Sequence, residues 1–251
     1  MIDIDQLLFA RNEFQLEIPR LTLHAGITLL VGRNGAGKST FLQLLATALL
    51  PDQGEIRYGG RRVTKDLPLI RSQIGFLPTG IELYEEMTPR RFLRYLVELK
   101  GVHDRGVVEK LLKEFDLLKV ENRKIGKLPQ GLRQRLALAQ AWIGSPAYLF
   151  LDEPMNDLDT RERKHLVSLL NRYARNRCVV ASTHDFQEWE NQADRILWID
   201  RGKVHFHDSL EKWKECASTG ERLSLEEAFL RRLMGVRSGS YPAEGFPLFW
   251  S

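Results

Sequence analysis

Short apolar runs and longer helical stretches alternate along the chain. Residues 2–23 hold two runs in which apolar and polar positions alternate, and this pattern predicts antiparallel strands. Because helical patterns lie between later apolar runs, the chain predicts an α/β fold with a mostly parallel sheet covered on both faces. Four runs are apolar enough for strands buried on both faces, namely 27–31, 73–78, 147–154 and 177–183.

Helical periodicity fills residues 80–143 without a strand pattern inside it. This block interrupts the alternation, and we interpret it as a helical subdomain inserted in the α/β core. We expect one domain over residues 1–235 and an irregular tail over 236–251, where Pro and Gly occur without periodicity. The remaining predictions are helices from residue 38 to Pro51, at 160–174, 209–216 and 224–234, and a hairpin at 195–207 around Arg201 and Gly202.

The composition and charge limit the class of protein. The 251 residues are 43% hydrophobic, which is enough for a sizeable core. The 37 Lys and Arg residues exceed the 33 Asp and Glu residues, for a net charge of +4. This small excess does not indicate nucleic-acid binding, and a solvated surface near an anionic membrane or partner explains it better.

Two cysteines, Cys178 and Cys216, lack the CxxC spacing of metal and redox sites. Cys178 lies in an apolar run, so we expect a buried thiol and a reducing compartment. The first residues are acidic and not typical of a signal peptide, and no run of about 18 apolar residues predicts a membrane span. The chain is therefore expected in the cytoplasm, reaching a membrane only through a partner.

A phosphate-binding loop is predicted at residues 32–40, here called the phosphate loop. Its sequence, GRNGAGKST, matches GxxxxGK[ST] between a predicted strand and a predicted helix. Lys38 is expected to reach the β- and γ-phosphates, Ser39 to bind Mg²⁺ and Thr40 to contact the α-phosphate side. Nucleotide contacts are expected from Gly32, Arg33, Asn34, Gly35, Ala36, Gly37, Lys38, Ser39 and Thr40.

Two carboxylates and a histidine follow two of the predicted buried strands. Asp152 and Glu153 end the run at 147–154, at the sheet edge where ligands of open α/β sheets bind. Asp152 is a candidate ligand of Mg²⁺, and Glu153 is a candidate general base for an attacking water. His184 follows the run at 177–183, and we expect it to contact a γ-phosphate. A helix N-cap acid and a structural histidine are the alternatives.

Five segments occur in an order that resembles the ATP-binding cassette (ABC) ATPases, the nucleotide-binding subunits of ABC transporters. They are GRNGAGKST, LPQGLRQR, LFLDEP, NDLD and STHD, and the resemblance extends from about residue 2 to residue 234. It implies a P-loop NTPase fold with a RecA-like core sheet, an N-terminal antiparallel β-subdomain and the inserted helical subdomain. It also implies ATP and Mg²⁺ as ligands, with Lys38, Glu153 and His184 as catalytic residues of ATP hydrolysis.

The resemblance assigns further roles, and two positions depart from the family pattern. An aromatic side chain stacks on adenine in this family. Phe9 is the first candidate, with core packing as its alternative, and Phe14 is the second. Thr79 replaces a glutamine that reaches the metal, so a water would bridge it to Mg²⁺. The signature segment, residues 128–132, has the sequence Leu-Pro-Gln-Gly-Leu where the family has Leu-Ser-Gly-Gly-Gln.

The resemblance also implies partners. Family members pair head-to-tail, so Gln130, Gly131 and Asp159 would contact the ATP held by a second cassette, in a homodimer or a heterodimer. A membrane-spanning permease would dock near residues 79–96, which puts the chain on the cytoplasmic face of the cell membrane. The compact length and residues 224–233 are most similar to exporter-type cassettes, whose cargo would be an antibiotic, a peptide or another amphiphile.

Two other functions stay open at the level of sequence. A soluble ABC ATPase of translation or DNA repair is one, although such proteins usually have two cassettes or a long coiled-coil insertion. This chain has a single phosphate loop. A weakly hydrolytic nucleotide-sensing module is the other, indicated by the altered signature segment and Thr79. No nucleic-acid partner is expected.

Overall fold

A single mixed sheet forms from the alternating and apolar runs of the sequence. The computed structural model describes residues 1–104, 106–215 and 222–238, with side chains as far as residue 234. Within these residues the sheet has ten strands in the order β5-β4-β1-β2-β10-β9-β3-β8-β7-β6. The strands are β1 Ile2–Arg11, β2 Phe14–Leu23, β3 Gly26–Val31, β4 Gln53–Tyr58, β5 Arg61–Arg62, β6 Ile74–Leu77, β7 Tyr148–Leu151, β8 Cys178–Ser182, β9 Arg195–Asp200 and β10 Lys203–Ser209.

The described helices lie between the strands and after the last one. Three short 3₁₀ turns at Leu118–Val120, Ile125–Lys127 and Gln187–Trp189 connect them to their neighbours. The α-helices are α1 Lys38–Leu45, α2 Val63–Ser72, α3 Pro89–Leu99, α4 Val107–Glu114, α5 Gln130–Ala141, α6 Thr160–Ala174, α7 Leu210–Lys214 and α8 Leu225–Ser238.

The sheet has a parallel half and an antiparallel half. Strands β6, β7, β8, β3 and β9 pair in parallel. Strands β2, β1, β4 and β5 pair antiparallel with one another. All residues of β7 and β8 are buried, as expected for strands covered on both faces. The predicted α/β class, with its antiparallel N-terminal part, is therefore confirmed.

Each face of the sheet has its own hydrophobic core. Along β3, Ile27, Leu29 and Val31 pack on the face that carries the helical subdomain and α6. Leu30 points the other way, and it shares a core with Phe41 of α1 and with the antiparallel strands. Alternate side chains of a strand point to opposite faces, so one apolar strand contributes to both cores.

The block at 80–143 contains α3, α4 and α5, as its periodicity predicts. Helix α3 begins after Thr88, whose hydroxyl accepts a hydrogen bond from the backbone N–H of Arg91, and Pro89 takes the first helical position. The buried sides of the three helices include Phe92, Leu112 and Leu136, which join the first core. The helical subdomain is therefore packed on the parallel half of the sheet.

Residues 53–72 contain elements that the periodicity did not predict. Strand β4 has only two buried positions, and Pro68 and the non-helical Asp66 interrupt the pattern of α2. Helix α1, which was expected to reach Pro51, ends at Leu45. Thr47 takes a left-handed backbone conformation (φ 57°), and Arg71 of α2 donates hydrogen bonds to its hydroxyl and carbonyl oxygens.

The C-terminal elements follow the predicted hairpin, which β9 and β10 form around Arg201 and Gly202. Helix α8 extends to Ser238, three residues beyond the expected end of the domain, so residues 236–238 are helical and not irregular. The rest of the predicted tail, residues 239–251, lies outside the described residues, as does Cys216. In the described part of the chain, no helix is long and apolar enough to cross a bilayer.

The thiol of Cys178 offers a test of the packing of β8. Cys178 is 2% exposed, and burial raises its pKa to about 12. At pH 8 the thiol is therefore protonated and shielded, so a thiol reagent should not label it in the folded chain. We expect a Cys216→Ser variant to react only after denaturation. Rapid labelling of the native variant would contradict the burial of β8.

Candidate active site

The predicted site residues meet at the carboxyl end of the parallel strands. The phosphate loop follows β3, and Asp152 and Glu153 follow β7. His184 follows β8, and Thr79 follows β6. Because these four strands run in the same direction, their following residues lie at one edge of the sheet. Segments far apart in the sequence thus form one site.

The phosphate loop needs glycine at two positions where the chain passes close to other groups. Gly32 has a φ of 156°, and a Cβ added there would lie 2.2 Å from the carbonyl oxygen of Ile199. Gly37 caps α1 with a φ of 108°, a left-handed conformation that favours glycine. Gly35 has open space around its Cα, so the backbone is accessible from outside. The geometry is that of an anion-binding turn at the N-terminus of a helix.

Lys38 lies inside this turn and is only 7% exposed. Its ammonium group donates hydrogen bonds to the carbonyl oxygens of Gly32 (2.8 Å) and Arg33 (3.2 Å). Burial lowers the pKa of Lys38, and the nearby charges of Glu153 and Asp152 oppose this shift. Lys38 is therefore a desolvated cation close to both carboxylates. Ser39 follows it at the start of α1 and is exposed.

Ser182 connects the two carboxylate residues, a role that the sequence pattern did not predict. Its hydroxyl donates to Oδ1 of Asp152 (2.6 Å) and accepts a hydrogen bond from the backbone N–H of Glu153 (2.9 Å). Ser182 is fully buried, and Asp152 is 4% exposed. One hydroxyl therefore fixes the carboxylate of one residue and the backbone of the next. The only signal for this role was the position of Ser182 in the STHD segment at the end of β8.

Glu153 and His184 form a pair at the mouth of the site. Nδ1 of His184 lies 2.8 Å from Oε2 of Glu153. The Glu153 side chain is 15% exposed and the His184 side chain 62% exposed. Glu153 has a left-handed φ of 51°, which turns its side chain away from the strand direction. The imidazole therefore holds the orientation of the Glu153 carboxylate at the mouth of the site.

A cleft of about 620 Å³ separates the two carboxylates from the helical subdomain. Thr79 lies on its wall, in the same cleft as Asp152 and Glu153. Gln130, the first residue of α5, lines the cleft as well, and its side-chain amide donates to Oδ2 of Asp157 at 3.2 Å. The signature segment is therefore hydrogen-bonded to the loop that follows β7 in the same chain.

Asp159 has a structural partner inside the chain. Its carboxylate caps α6 by accepting the backbone N–H of Glu162 (2.8 Å), and Glu162 accepts the N–H of Asp159 (2.9 Å) in return. This capping box fixes the start of α6. Gly131 lies nearby, where a Cβ would be 3.1 Å from the carbonyl oxygen of Asp157.

The two aromatic candidates differ in their surroundings. Phe9 is 8% exposed and belongs to the second hydrophobic core, which fits the core-packing alternative. Phe14 is only half-buried, and its ring lies close to the phosphate loop. A Cβ added at Gly37 would be 2.8 Å from a carbon of that ring. The geometry thus favours Phe14 over Phe9 as the aromatic residue beside the loop.

Comparison with known proteins gives the family of this chain. The family model described as "ABC transporter" matches residues 16–156, more than half of the sequence. The chain belongs to the ABC transporter family. It carries an ATP-binding cassette of this family, whose chemistry is ATP hydrolysis. The phosphate loop, Asp152 and Glu153 all fall within or at the ends of the matched region.

Two relatives show how similar this cassette is to known transport proteins. It is 29% identical to the human retinal-specific phospholipid-transporting ATPase ABCA4, covering 87% of this chain but only 10% of that protein's length. It is 33% identical to the daunorubicin resistance ATP-binding protein DrrA3 of Streptomyces coeruleorubidus, covering 84% of this chain and 66% of that one.

A solved structure shows the same fold. It is the dimeric post-hydrolysis state of the cassette MJ0796 bound to ADP and Pi, with 23% identity and a TM-score of 0.74. The match covers 84% of this chain and 99% of that chain.

The hydroxyl of Ser182 can be tested by substitution. A Ser182→Ala variant loses one donor to a buried carboxylate, and a hydrogen bond to a charged group contributes about 1.5–3 kcal/mol. We expect kcat for ATP hydrolysis to fall at least about tenfold, measured by phosphate release. A Ser168→Ala variant on the exposed side of α6 serves as the control. Unchanged kcat in a folded Ser182→Ala chain would show that the bridge does not matter.

Proposed function

We propose that this cassette binds and hydrolyses ATP to drive a separate membrane-spanning permease that exports an antibiotic, a peptide or another amphiphile. The observation that carries the proposal is the Glu153–His184 pair beside a complete phosphate loop. The drug-resistance function in the name of DrrA3 and the phospholipid transport in that of ABCA4 support an amphiphilic cargo. The chain spans a tenth of the length of ABCA4 and about two thirds of the length of DrrA3.

Binding of ATP would exchange the internal partners of the phosphate loop for phosphate oxygens. Lys38 now donates to two backbone carbonyl oxygens, and a β- or γ-phosphate offers it charged acceptors instead. The backbone N–H groups of residues 32–40 and the N-terminus of α1 add partial positive charge. Ser39 and Thr40 stand at the start of that helix, within the same loop. Adenine would stack on Phe14 rather than on the buried Phe9.

Hydrolysis would use Glu153 as the general base. Its carboxylate would accept a proton from the attacking water, and His184 would hold the carboxylate in place and contact the γ-phosphate. The hydrogen bond to Ser182 keeps the backbone of Glu153 fixed while this happens. Lys38 would stabilise the charge that develops on the transferred phosphoryl group.

Mg²⁺ fits the donors at this site. In the described residues, no cluster of three or more His, Cys, Asp and Glu side chains could hold a metal alone. Ser39 and the buried Asp152 are oxygen donors of the kind Mg²⁺ prefers, and ATP phosphates would complete the set. The ion would neutralise phosphate charge when bound. Exposed Thr79 lies in the same cleft, and a water would link it to the ion.

A second cassette would complete the site from across a dimer interface. The dimeric state of MJ0796 supports this arrangement, because that protein shares the fold. Three residues would face the ATP of the partner, namely Gln130 and Gly131 at the start of α5 and Asp159 at the start of α6. The missing serine of the signature segment would then weaken the partner's site and leave this chain's own site complete. In a homodimer both ATP sites would lack the serine hydroxyl.

The permease would dock on residues 79–96 at the cytoplasmic face of the membrane. Tyr84 is 55% exposed and Tyr95 is 39% exposed, and their rings contact each other edge to face. Leu99 continues this apolar surface along α3. Exposed aromatic side chains of this kind are enriched at protein interfaces. Residues 79–83 of this segment also line the cleft that contains Glu153, so movement of the docked permease would change the surroundings of Glu153.

Loss of Lys38 should weaken nucleotide binding. A Lys38→Ala variant removes a charge-assisted donor, which is worth about 1.5–3 kcal/mol, or about 10- to 150-fold in affinity. Titration with a fluorescent ATP analogue measures the change. A Lys65→Ala variant on exposed α2 is the matched control and should bind like the unaltered chain. Equal affinity for the ATP analogue in Lys38→Ala and the control would contradict the assignment of residues 32–40 as the phosphate-binding loop.

Loss of the carboxylate at 153 should separate binding from turnover. A Glu153→Gln variant keeps the size of the side chain but cannot accept the proton, so kcat should fall about 10²- to 10⁴-fold. ATP should then hold a dimer that size-exclusion chromatography detects. A Glu98→Gln variant on the exposed side of α3 is the control. If hydrolysis persists in Glu153→Gln, another group is the base.

A further inference from the structure

One side chain of the signature segment acts within its own chain. Gln130 donates from Nε2 to Oδ2 of Asp157, 27 residues further along, at 3.2 Å. The family pattern has glycine at the position of Gln130, so this bond depends on the substituted residue. Asp157 belongs to the loop at residues 153–159, here called the acidic loop, which begins with the proposed base Glu153.

Further contacts join the same face of α5 to the acidic loop and the start of α6. Gln134, one helical turn after Gln130, donates to the carbonyl oxygen of Pro154 at 3.3 Å. Arg135 pairs with Glu162, the residue that closes the capping box of α6, at 3.0 Å. The loop is therefore attached to α5 near its beginning, through Pro154, and at its middle, through Asp157.

The backbone of the acidic loop needs such external support. Glu153 and Asp157 both have left-handed φ angles, 51° and 60°, although neither is glycine. Residues in this conformation persist only where their surroundings hold them. Ser182 holds the first of them through the backbone N–H of Glu153. Gln130 donates to the side chain of the second, and the turn between them carries backbone hydrogen bonds from Asn156 to Glu153 and from Leu158 to Met155.

Charge in the cleft gives a second reason for this contact. Asp152, Glu153 and Asp157 line it together with Glu82 and Glu85, so five carboxylates and one guanidinium group, that of Arg133, face the same space. This net negative charge favours movement of Asp157, which lies on the exposed side of the loop, away from Asp152 and Glu153. A neutral amide that donates to Asp157 opposes that movement without adding a charge that would compete with Lys38 for phosphate.

We propose that Gln130 is a positioning residue for ATP hydrolysis in its own chain, acting through Asp157 to hold the acidic loop and thereby the backbone of Glu153. This inference rests on the proposed function, because it needs Glu153 as the base. It gives the substituted signature residue a role in cis, beside the contact in trans that the family implies. Gln130 itself touches neither base nor phosphate in this role.

A double-mutant cycle tests the contact in the full-length chain. Gln130→Ala, Asp157→Ala and the double variant are assayed for ATP hydrolysis over a range of ATP concentrations. We expect each single change to lower kcat about three- to tenfold with KM for ATP within about twofold. The double variant should be no slower than the slower single variant, because both remove the same interaction.

Reversal of the hydrogen bond separates positioning from general loss of structure. Gln130→Glu alone places two carboxylates together and should lower kcat more than Gln130→Ala does. Combined with Asp157→Asn, it lets the new amide donate to the new carboxylate, and kcat should return to within about twofold of the unaltered chain. A Gln53→Ala variant on exposed β4 is the control for removing a surface glutamine.

The outcomes distinguish this inference from the proposed function. An unaltered chain that binds ATP without hydrolysing it would overturn the proposed function and this role with it. An active unaltered chain in which the effects of Gln130→Ala and Asp157→Ala simply add would overturn only the role in cis. A raised KM with unchanged kcat in Gln130→Ala would likewise mean that the residue acts on ATP and not through Asp157.

Discussion

The parallel register of β3, β8 and β7 is the constraint on which the site depends. Leu151 pairs with Ala181 and Leu30 with Ser182, so all three strands end at nearly the same height. The next residues of each strand therefore lie within hydrogen-bonding reach of one another. A shift of one residue in β8 would turn Ser182 to the other face of the sheet and separate it from Asp152.

Much of this arrangement was predictable because it follows from pattern and direction. The strands before Gly32, Asp152 and His184 are apolar runs, and parallel strands bring their carboxyl ends together whatever their distance in sequence. The antiparallel strands and the helical subdomain were predictable from the periodicity of their apolar residues. Residues 53–72 could not, since β4 buries little and Pro68 breaks the helical period of α2.

The contacts inside the site were less accessible from the sequence. The bridge by Ser182 depends on the height at which two strands end, and periodicity does not give that height. Phe9 and Phe14 both pack with the second core, and the choice between them depends on which ring reaches the phosphate loop at Gly37. The bond between Gln130 and Asp157 joins two segments 27 residues apart, and no pattern in the sequence pairs them.

That bond also bears on how such a signature segment can change during evolution. Asp157 occupies a backbone conformation for which glycine is the least strained residue, and its carboxylate adds to the negative charge of the cleft. A small residue at position 130 would remove the side-chain donor that Gln130 offers to this carboxylate. Substitution of either residue removes the bond for both, so we expect Gln130 and Asp157 to change together.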